Sequence, residues 1–427
     1  MTLFIFLAVL VITIVIGIPI AFSLLSCAVV LMLHLDYFRP GFMATSLVAG
    51  ADNFSLMAIP FFILAGEMMN AGGLSQRIVD LPLKLIGHKP GGLGYVAIIA
   101  TVIMASLSGS AVADTAAVAA ILIPMMVKAG YPLVRSAGLV AAGGIIAPII
   151  PPSMPFIIFG VTATVSIKDL FMGGIVPGLM MGAGLMIVWY FVSKRMDITL
   201  QPKATRQEVL ATLKSSAWAL ALPVIIIGGF RIGVFTATEA GAVAAVYSMF
   251  VGLFIYREMD FKTFYRQLTG SVATIGIVTF LVAAANVSGV LMARARLPEM
   301  VAGLLEPLIN QPTLLIVVIM LLCFFVGMVM DLTPAVLILV PVIMPLIHKA
   351  GINPAYFGIL FIMNLCIGLL TPPVGNVLNV ITGIAKIRFD QAARGVLPFL
   401  IAHIVILALL IAFPKLVIVP MNFFLGR

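Results

Sequence analysis

Charged residues are scarce in this sequence, and their scarcity limits the classes of protein that the chain can form. Only 9% of its residues are charged, whereas 63% are hydrophobic. Soluble domains carry about 25% charged residues because their surfaces must be hydrated. The apolar stretches also fill nearly the whole chain instead of forming a single anchor. The composition therefore excludes a soluble domain and indicates a chain that crosses a membrane many times.

Cysteine and histidine are too few and too scattered for several kinds of chemistry. The three cysteines lie inside apolar segments, so the sequence implies no disulfide framework. The four histidines are far apart, and there is no HExxH motif, no glycine-rich phosphate loop beside a strand and no convincing pair of nucleophile and base. These absences argue against an intramembrane enzyme, and we expect neither catalytic residues nor an organic cofactor.

The basic residues indicate membrane topology and not a nucleic-acid surface. The formal net charge is +9, but the 24 lysines and arginines are spread over many loops. Membrane proteins concentrate such residues in their cytoplasmic loops. The most polar stretch, at 194–216, holds Lys194, Arg195 and Lys203 among others, and a second basic loop around Lys262 follows after two apolar spans. We predict that both loops are cytoplasmic and that the chain has no nucleic-acid partner.

The long apolar runs predict an all-α polytopic membrane protein. Backbone groups in lipid need internal hydrogen-bond partners, which helices supply, and the alternating segments of an outer-membrane barrel are absent. One apolar run at 3–33 is longer than a bilayer span, and Gly17-Ile18-Pro19 marks its break. The amphipathic, basic segment at 71–90 is typical of a helix that lies at the membrane surface.

An internal repeat with a constant offset of 221 residues, as between Pro124 and Pro345, divides the chain. The offset has no gap from Ile123 to Pro177, which is hard to obtain by chance. Internal repeats of this size are typical of secondary transporters, whose substrate and ion sites lie where discontinuous helices meet. The span count permits inverted repeats. Other residues that recur at this offset are Lys128-Ala129-Gly130 with Lys349-Ala350-Gly351, Pro151-Pro152 with Pro372-Pro373, Asp169 with Asp390, Gly174 with Gly395, and Pro177 with Pro398.

Each repeat contains two apolar stretches that are joined by a very short polar turn. We predict helical hairpins at 91–127 and 312–348, which re-enter the membrane because their turns are too short for ordinary loops. A Pro-Pro pair follows inside the next apolar segment, so we predict broken helices at 133–165 and 355–385. Proline donates no N–H and clashes with the carbonyl of the preceding turn. Each broken helix should therefore leave free carbonyl groups at membrane depth.

The free carbonyl groups and the nearby Ser, Thr and Asp side chains are oxygen ligands of the kind that hard cations prefer. Pairing each hairpin turn with the break of its own repeat predicts two related Na⁺ sites. The N-termini of the half-helices favour an anion, so the substrate is expected near Ser108–Ser110, Thr333 and Asn376. The predicted Na⁺ and substrate residues are Ser106, Ser108, Gly109, Ser110, Asp114, Gly144, Pro151, Pro152 and Ser153 in the first repeat, and Gly327, Asp331, Thr333, Thr371, Pro372, Pro373, Gly375 and Asn376 in the second.

Simpler interpretations exist for single residues of this set. Ser and Gly in membrane helices more often serve close helix packing, and lone prolines are commonly kinks. The duplication favours binding instead. Asp114 and Asp331 also favour binding, because a charge inside the membrane costs at least about 2.5–3.5 kcal/mol. For Glu67 and Glu239 we favour a structural role.

Six motifs of the chain resemble those of one known family when they are taken together. They are Gly17-x-Pro19, Ile59-Pro60-Phe61-Phe62-Ile63-Leu64-Ala65-Gly66, Ser108-Gly109-Ser110-Ala111-Val112-Ala113-Asp114, Ile150-Pro151-Pro152-Ser153, Thr236-x-Thr238-Glu239-Ala240-Gly241 and Thr371-Pro372-Pro373-Val374-Gly375. The chain resembles, essentially end to end, the large membrane (M or DctM-type) subunit of the tripartite ATP-independent periplasmic (TRAP) transporters, within the wider ion-transporter superfamily.

The resemblance implies an Na⁺-coupled symporter that imports a small organic acid, such as a C4-dicarboxylate, sialic acid or a sugar acid, across a bacterial inner membrane. It implies an elevator mechanism, in which a transport domain with both hairpins slides against a scaffold domain. It also implies two partners, a small four-helix membrane subunit as a separate chain and a soluble periplasmic substrate-binding protein. On the family pattern, the first hairpin turn and Thr371-Pro372-Pro373 contact the ion or the substrate.

The spans and the resemblance together divide the chain into eight segments. They are N-terminal scaffold helices at 1–70, an interfacial arm helix at 71–90, the first transport-domain repeat at 91–193, a basic cytoplasmic loop at 194–216, central scaffold helices at 217–292, a second arm helix at 293–311, the second transport-domain repeat at 312–398 and a C-terminal helix at 399–427.

Two other transport functions remain open from the sequence. A stand-alone Na⁺/dicarboxylate symporter of the same superfamily would share the fold but would need no partner. A channel would carry a flux far above the rate of a carrier and would not depend on a binding protein. The sequence also leaves the identity of the organic acid open.

Overall fold

The chain is built from helices over the residues that the computed structural model describes, which are 2–194, 196, 198–200 and 202–427. Eight helical segments among these residues are long and apolar enough to cross a membrane. The predicted all-α polytopic class is therefore confirmed. In chain order the helices are α1 Thr2–Val15, α2 Ile20–His34, α3 Pro40–Ala51, α4 Ala58–Ala71, α5 Leu74–Ile86, α6 Gly92–Ser108, α7 Ala111–Lys128, α8 Leu133–Gly144, α9 Met154–Ala163, α10 Ile167–Ser193, α11 Arg206–Ile232, α12 Ala237–Phe250, α13 Phe261–Arg294, α14 Leu297–Leu305, α15 Pro312–Gly327, α16 Leu332–Lys349, α17 Pro354–Gly368, α18 Asn376–Ala385, α19 Phe389–Ala412 and α20 Lys415–Leu425.

The first apolar run is interrupted where the sequence predicts it. Helix α1 ends at Val15, and Gly17 adopts a φ of +89°, which glycine tolerates because it has no Cβ atom. Pro19 directly precedes α2. The break between the two helices is therefore confirmed.

The helix pairs α6 with α7 and α15 with α16 occupy the positions of the predicted hairpins. Only Gly109 and Ser110 separate the first pair, and residues 328–331 separate the second. The outer ends of both pairs agree with the predicted ranges to within one residue.

The broken helices are interrupted over a longer stretch than predicted. Helix α8 ends at Gly144, well before Pro151-Pro152, and α17 ends at Gly368, before Pro372-Pro373. A proline ring clashes with the carbonyl group four residues earlier, so Pro148 ends α8 at Gly144 and Pro372 ends α17 at Gly368. A Pro-Pro pair therefore marks the far end of each interruption and not its start.

The predicted basic loop at 194–216 is shorter in the structure. Helix α11 already begins at Arg206, because Thr205 and Glu208 form a capping box: the Glu208 amide donates to the Thr205 hydroxyl oxygen at 3.2 Å, and the Thr205 amide donates to the Glu208 carboxylate at 2.8 Å. Arg195, Asp197 and Gln201 of the predicted loop lie outside the described residues.

The helices pack into two groups. In the first group (α1–α4 and α11–α13), α2 and α3 pack along α13, and α4 packs along α12. In the second group (α6–α10 and α15–α20), α8 packs along α19, α10 along α20, and α15 along α17. Helix α5 lies between the groups, since it packs on α11 and also contacts α6.

The two sequence repeats are packed crosswise within the second group. Helix α7 of the first hairpin packs against α18, which is the second half of the other repeat's broken helix. Helix α16 of the second hairpin packs against α9 in the equivalent way. Each hairpin is thus held by elements of both repeats.

Two glycines permit the close packing of α8 on α19. A Cβ atom at Gly138 would overlap the backbone of Gly395, and a Cβ atom at Gly395 would overlap the carbonyl group of Val134. Small residues at such positions allow membrane helices to approach closely. The contact between the two sequence repeats at this point therefore depends on residues without side chains.

We predict that Gly138→Ala destabilises the folded protein by about 1–3 kcal/mol, because the added methyl group has no space. Gly276→Ala in α13 is the matched control, since a Cβ atom there meets no atom within 4 Å. Alanine at an open helix position is stabilising by up to about 1 kcal/mol. Thermal unfolding of the purified protein in detergent measures both effects, and equal melting temperatures for the two variants would contradict the described packing.

Candidate functional site

The turn of the first hairpin is short because one glycine and one serine complete it. Gly109 follows α6 with a φ of +62°, a backbone conformation that favours glycine. Ser110 then caps α7, because its hydroxyl oxygen accepts a hydrogen bond from the Ala113 amide at 3.3 Å. The Ser110 amide donates to the hydroxyl oxygen of Ser108 at 3.1 Å. The structure thus brings three predicted residues together at the start of α7.

Asp114 lies directly behind this turn, in the first turn of α7, with only 2% of its surface exposed. The Ser108 hydroxyl donates a hydrogen bond to the Oδ1 atom of Asp114. The Oδ2 atom is also buried, and it has no hydrogen-bond partner among the described residues. The helix dipole favours a carboxylate at this end of α7, but an unpartnered buried carboxylate oxygen is costly. This oxygen is therefore free to contact a ligand.

The first break contacts the turn of its own hairpin. A Cβ atom at Gly109 would lie 2.8 Å from the Pro152 carbonyl oxygen and 3.1 Å from the Cα atom of Ser153. Ser153 caps α9 by accepting a hydrogen bond from the Phe156 amide at 3.3 Å, and its hydroxyl donates to the Pro148 carbonyl oxygen at 2.5 Å. Backbone oxygens of the break therefore lie beside the hairpin turn, as the sequence predicts.

Two further residues of the first set have structural contacts. Gly144 ends α8, and a Cβ atom there would overlap the hydroxyl group of Thr115 in α7. Ser106 is buried, and its hydroxyl donates to the Ile103 carbonyl oxygen at 2.6 Å within the same helix. Both residues therefore support the packing around the site.

The second turn contacts its own break through the backbone. The amides of Val374 and Gly375 both donate to the Met328 carbonyl oxygen at 3.2 Å. A Cβ atom at Gly368 would lie 2.7 Å from the Cα atom of Gly327, so these two glycines permit the close approach of α15 and α17. The structure therefore pairs each turn with the break of its own repeat.

The remaining residues of the second set lie around this contact. Asp331 precedes α16 at the capping position, which Ser110 has in the first repeat, but its side chain caps no amide. Thr333 is half-buried in the first turn of α16. The Thr371 hydroxyl donates to the Ile367 carbonyl oxygen at 3.0 Å. Asn376 is the first residue of α18, directly after Gly375.

The two halves differ in burial although their sequences repeat. All residues from 145 to 153 in the first break are buried, whereas Pro372 and Pro373 in the second are exposed. Both Pro-Pro bonds are cis. Asp114 is buried and Asp331 is exposed, so the structure does not place the two carboxylates in equivalent environments.

Sequence reasoning missed three polar residues near the breaks. The Thr115 hydroxyl donates to the Ala111 carbonyl oxygen at 2.7 Å and lies against Gly144. Asn364 is buried in α17 and donates to the Met320 carbonyl oxygen at 2.6 Å. Asn379 donates to the carbonyl oxygen of Val374, in the second break, at 3.1 Å. The sequence does contain a signal for these residues, since each is an amide or hydroxyl group inside an apolar stretch.

Comparison with known proteins identifies the family. Residues 7–416 match the family described as "Tripartite ATP-independent periplasmic transporter, DctM component". The 2,3-diketo-L-gulonate TRAP transporter large permease protein YiaN of Escherichia coli (strain K12) is 60% identical over 422 residues, and the match covers 99% of each chain. The sialic acid TRAP transporter large permease protein SiaM of Vibrio cholerae is 38% identical, and the match covers 96% of each chain.

A third relative and a solved structure extend the comparison. The isethionate TRAP transporter permease protein DctMQ of Oleidesulfovibrio alaskensis is 36% identical, over 96% of this chain and 64% of that protein. The crystal structure of the Alcanivorax borkumensis YdaH transporter has a TM-score of 0.63 over 89% of each chain at 15% identity, which shows a shared fold. This chain therefore belongs to the DctM family of TRAP transporter large permeases, which are transport proteins and not enzymes.

Proposed function

We propose that this permease imports a small organic acid together with Na⁺ across a bacterial inner membrane, and that a periplasmic binding protein delivers the acid. Family membership supports the transport of an organic acid. The observation that carries the proposal of Na⁺ coupling is the buried, unpartnered Oδ2 atom of Asp114, beside the hairpin turn and the broken helix.

The first proposed Na⁺ site consists of Asp114, the hairpin turn and the first break. A buried carboxylate needs a counter-charge, because its desolvation is otherwise uncompensated. The groups around it are hydroxyl and carbonyl oxygens, from Ser108 and from Pro152 across Gly109, and Na⁺ is a hard cation that binds oxygen ligands. Ser110, Ser153 and the remaining residues of the first set then hold the turn and the break in position.

The second proposed Na⁺ site lies at the second turn and break, where Thr371, Gly375 and nearby carbonyl groups supply oxygen. The Met328 carbonyl oxygen is already bonded to two amides, so the free ligands must come from the rest of the break. This half is more exposed than the first. We therefore assign the substrate to the space beside it, with Asp331, Thr333 and Asn376 at its edge.

The named relatives support an acid as substrate. YiaN is named for 2,3-diketo-L-gulonate, SiaM for sialic acid and DctMQ for isethionate. All three compounds are organic acids, and two of them are sugar acids. Because the relative named for 2,3-diketo-L-gulonate is 60% identical over nearly the full length, we propose a sugar acid as the first compound to test.

The proposed mechanism is an elevator movement, in which the second helix group slides against the first group. We propose that the second group consists of two inverted repeats, each with one re-entrant hairpin. Helix α5 supports this division, since it packs on α11 of one group and contacts α6 of the other. The family's tripartite description supports two partners, a small membrane subunit and a soluble periplasmic binding protein.

Uptake by reconstituted permease, small subunit and binding protein tests the function, and uptake that persists without an Na⁺ gradient would exclude Na⁺ coupling.

We predict that Asp114→Asn raises the Na⁺ concentration for half-maximal uptake by about ten-fold or more, equivalent to about 1.4 kcal/mol of ion binding. The amide keeps the size of the side chain but removes the charge that attracts the cation. Asp331→Asn should impair uptake less, because Asp331 is exposed. Glu299→Gln, at an exposed position of α14, is the control for loss of an acidic group. Wild-type Na⁺ dependence in Asp114→Asn protein that inserts normally would refute the assignment.

We predict that Gly109→Ala abolishes uptake, because the methyl group enters the space between the hairpin turn and Pro152. Gly351→Ala is a close control, since Gly351 has a φ of +67°, near the +62° of Gly109, but no atom lies within 4 Å of its Cβ position. Both variants bear the backbone strain of about 1–2 kcal/mol for a left-handed alanine. Transport is measured in membranes that contain equal amounts of each variant, and only Gly109→Ala should lose uptake. An equal loss of uptake in Gly351→Ala would mean that backbone strain, and not the contact with Pro152, causes the effect.

A further inference from the structure

A cleft of about 630 Å³ with both polar and apolar lining residues lies between the two helix groups. One wall consists of the turn between α9 and α10, which contains Thr164, and the first turn of α10, which contains Lys168. The opposite wall is the turn between α11 and α12, with Phe235 and Thr236, together with the short segment that follows Asn53. We call this space the outer cleft. Its volume is within the range of about 300–1,000 Å³ that small-molecule sites occupy.

Lys168 is the one charged side chain among the described residues that line the outer cleft. None of the ion pairs between described residues includes it. Two acidic residues next to the lining have partners of their own: Asp169 pairs with Arg427 at 3.3 Å, and Glu239 accepts hydrogen bonds from the amide and hydroxyl of Thr236, both at 2.8 Å. Lys168 is thus the one basic group in the lining, and the ion pairs between described residues leave it available to an anion.

The other polar groups of the outer cleft suit the remainder of a hydroxylated acid. Thr164 and Ser55 contribute hydroxyl groups, and Asn53 contributes an amide. Phe235 supplies an apolar surface beside them. These groups complement a sugar acid. The lysine can bind its carboxylate, and the hydroxyl and amide groups can form hydrogen bonds with its hydroxyl or carbonyl oxygens.

The outer cleft opens at the end of the molecule opposite the basic segment. Helix α10 runs from the cleft, at Ile167, to Ser193, where the basic segment begins. Helix α11 returns from Arg206 to Ile232, beside Gly233 of the cleft. Because basic segments of membrane proteins lie in the cytoplasm, the outer cleft faces the side from which an imported acid arrives.

A second cavity continues from the outer cleft toward the second hairpin. It has a volume of about 350 Å³ and shares Asn53 and Val161 with the outer cleft. Its far wall contains Leu337 and Pro341 of α16. The two cavities are therefore adjacent along the boundary between the helix groups, and they extend from the outer surface to α16, which follows Asp331 directly.

We propose that the outer cleft is a loading site, where Lys168 binds the carboxylate of the organic acid before the acid reaches the hairpins. This inference rests on the proposed import of an organic acid and adds a site distinct from the hairpin turns. The lysine contributes charge attraction that is strongest at low ionic strength. Its loss therefore weakens the capture of the acid but leaves the later steps unchanged.

The test compares Lys168→Gln with wild type in the reconstituted transporter, with binding protein loaded with 2,3-diketo-L-gulonate. We expect KM to rise about ten-fold, with Vmax within about two-fold, and Lys168→Arg to restore a low KM. Arg231→Gln is the matched control, because Arg231 lies at the same end but its guanidinium group is 5.6 Å from the Phe423 ring centroid. The loading site would be overturned by any of three results: a KM of Lys168→Gln equal to that of wild type, an equal rise of KM in Arg231→Gln, or a fall of Vmax in Lys168→Gln without a change of KM. Wild type that imports no organic acid would instead refute the proposed function, and the loading site with it.

A second measurement separates binding of the acid from docking of the binding protein. Ala237→Cys permease, which keeps Lys168 and carries the cysteine in the lining of the outer cleft, is treated without partners with a thiol reagent in the presence of the free acid, and we expect the acid to slow labelling. The three native cysteines, Cys27, Cys323 and Cys366, are buried, and the wild type measures their background labelling. A labelling rate that the acid does not change, even at saturating concentration, would overturn the proposal.

Discussion

The bilayer offers no water to the backbone, and this constraint accounts for most of the architecture. Helices satisfy the backbone internally, so an interrupted helix is tolerated only where protein covers it. The first break lies entirely among buried residues, against Gly109, and the amides of the second break bond to Met328. The hairpin turns thus provide the cover that the broken helices need. This dependence explains why a hairpin and a break recur together at one offset in the sequence.

Much of the fold could be predicted from the sequence because its strongest signals are local. The Gly and Ser residues of the first turn located α6 and α7 to within one residue, and Gly17 located the break before α2. The starts of the interruptions were harder to locate, since a helix ends four residues before the first proline that it meets, which is Pro148 and not Pro151 in the first break. The early start of α11 follows from Thr205 and Glu208, a capping pair that the sequence contains but that its many charges obscured.

The contact of each hairpin turn with the break of its own repeat was predictable from the sequence, but the difference in burial between the two halves was not. Asp331 matches Ser110 in the repeat and lies one helical turn before the position of Asp114. Asp331 is exposed and Asp114 is buried, because burial depends on which helices pack over each turn. Residues such as Asn364 and Thr115 gain their positions from contacts across the fold. The outer cleft could not be predicted from the sequence for the same reason. Its walls are formed by turns that are distant in the chain, and no short motif marks them.

The crosswise packing of α7 on α18 and of α16 on α9 has the form of an interface between two copies of one subunit. In such an isologous contact, element i of one copy meets element j of the other, and j meets i in return. Here the copies are the two sequence repeats within one polypeptide. Through these surfaces each hairpin completes its packing only against the other repeat, so the two halves of the chain share one core.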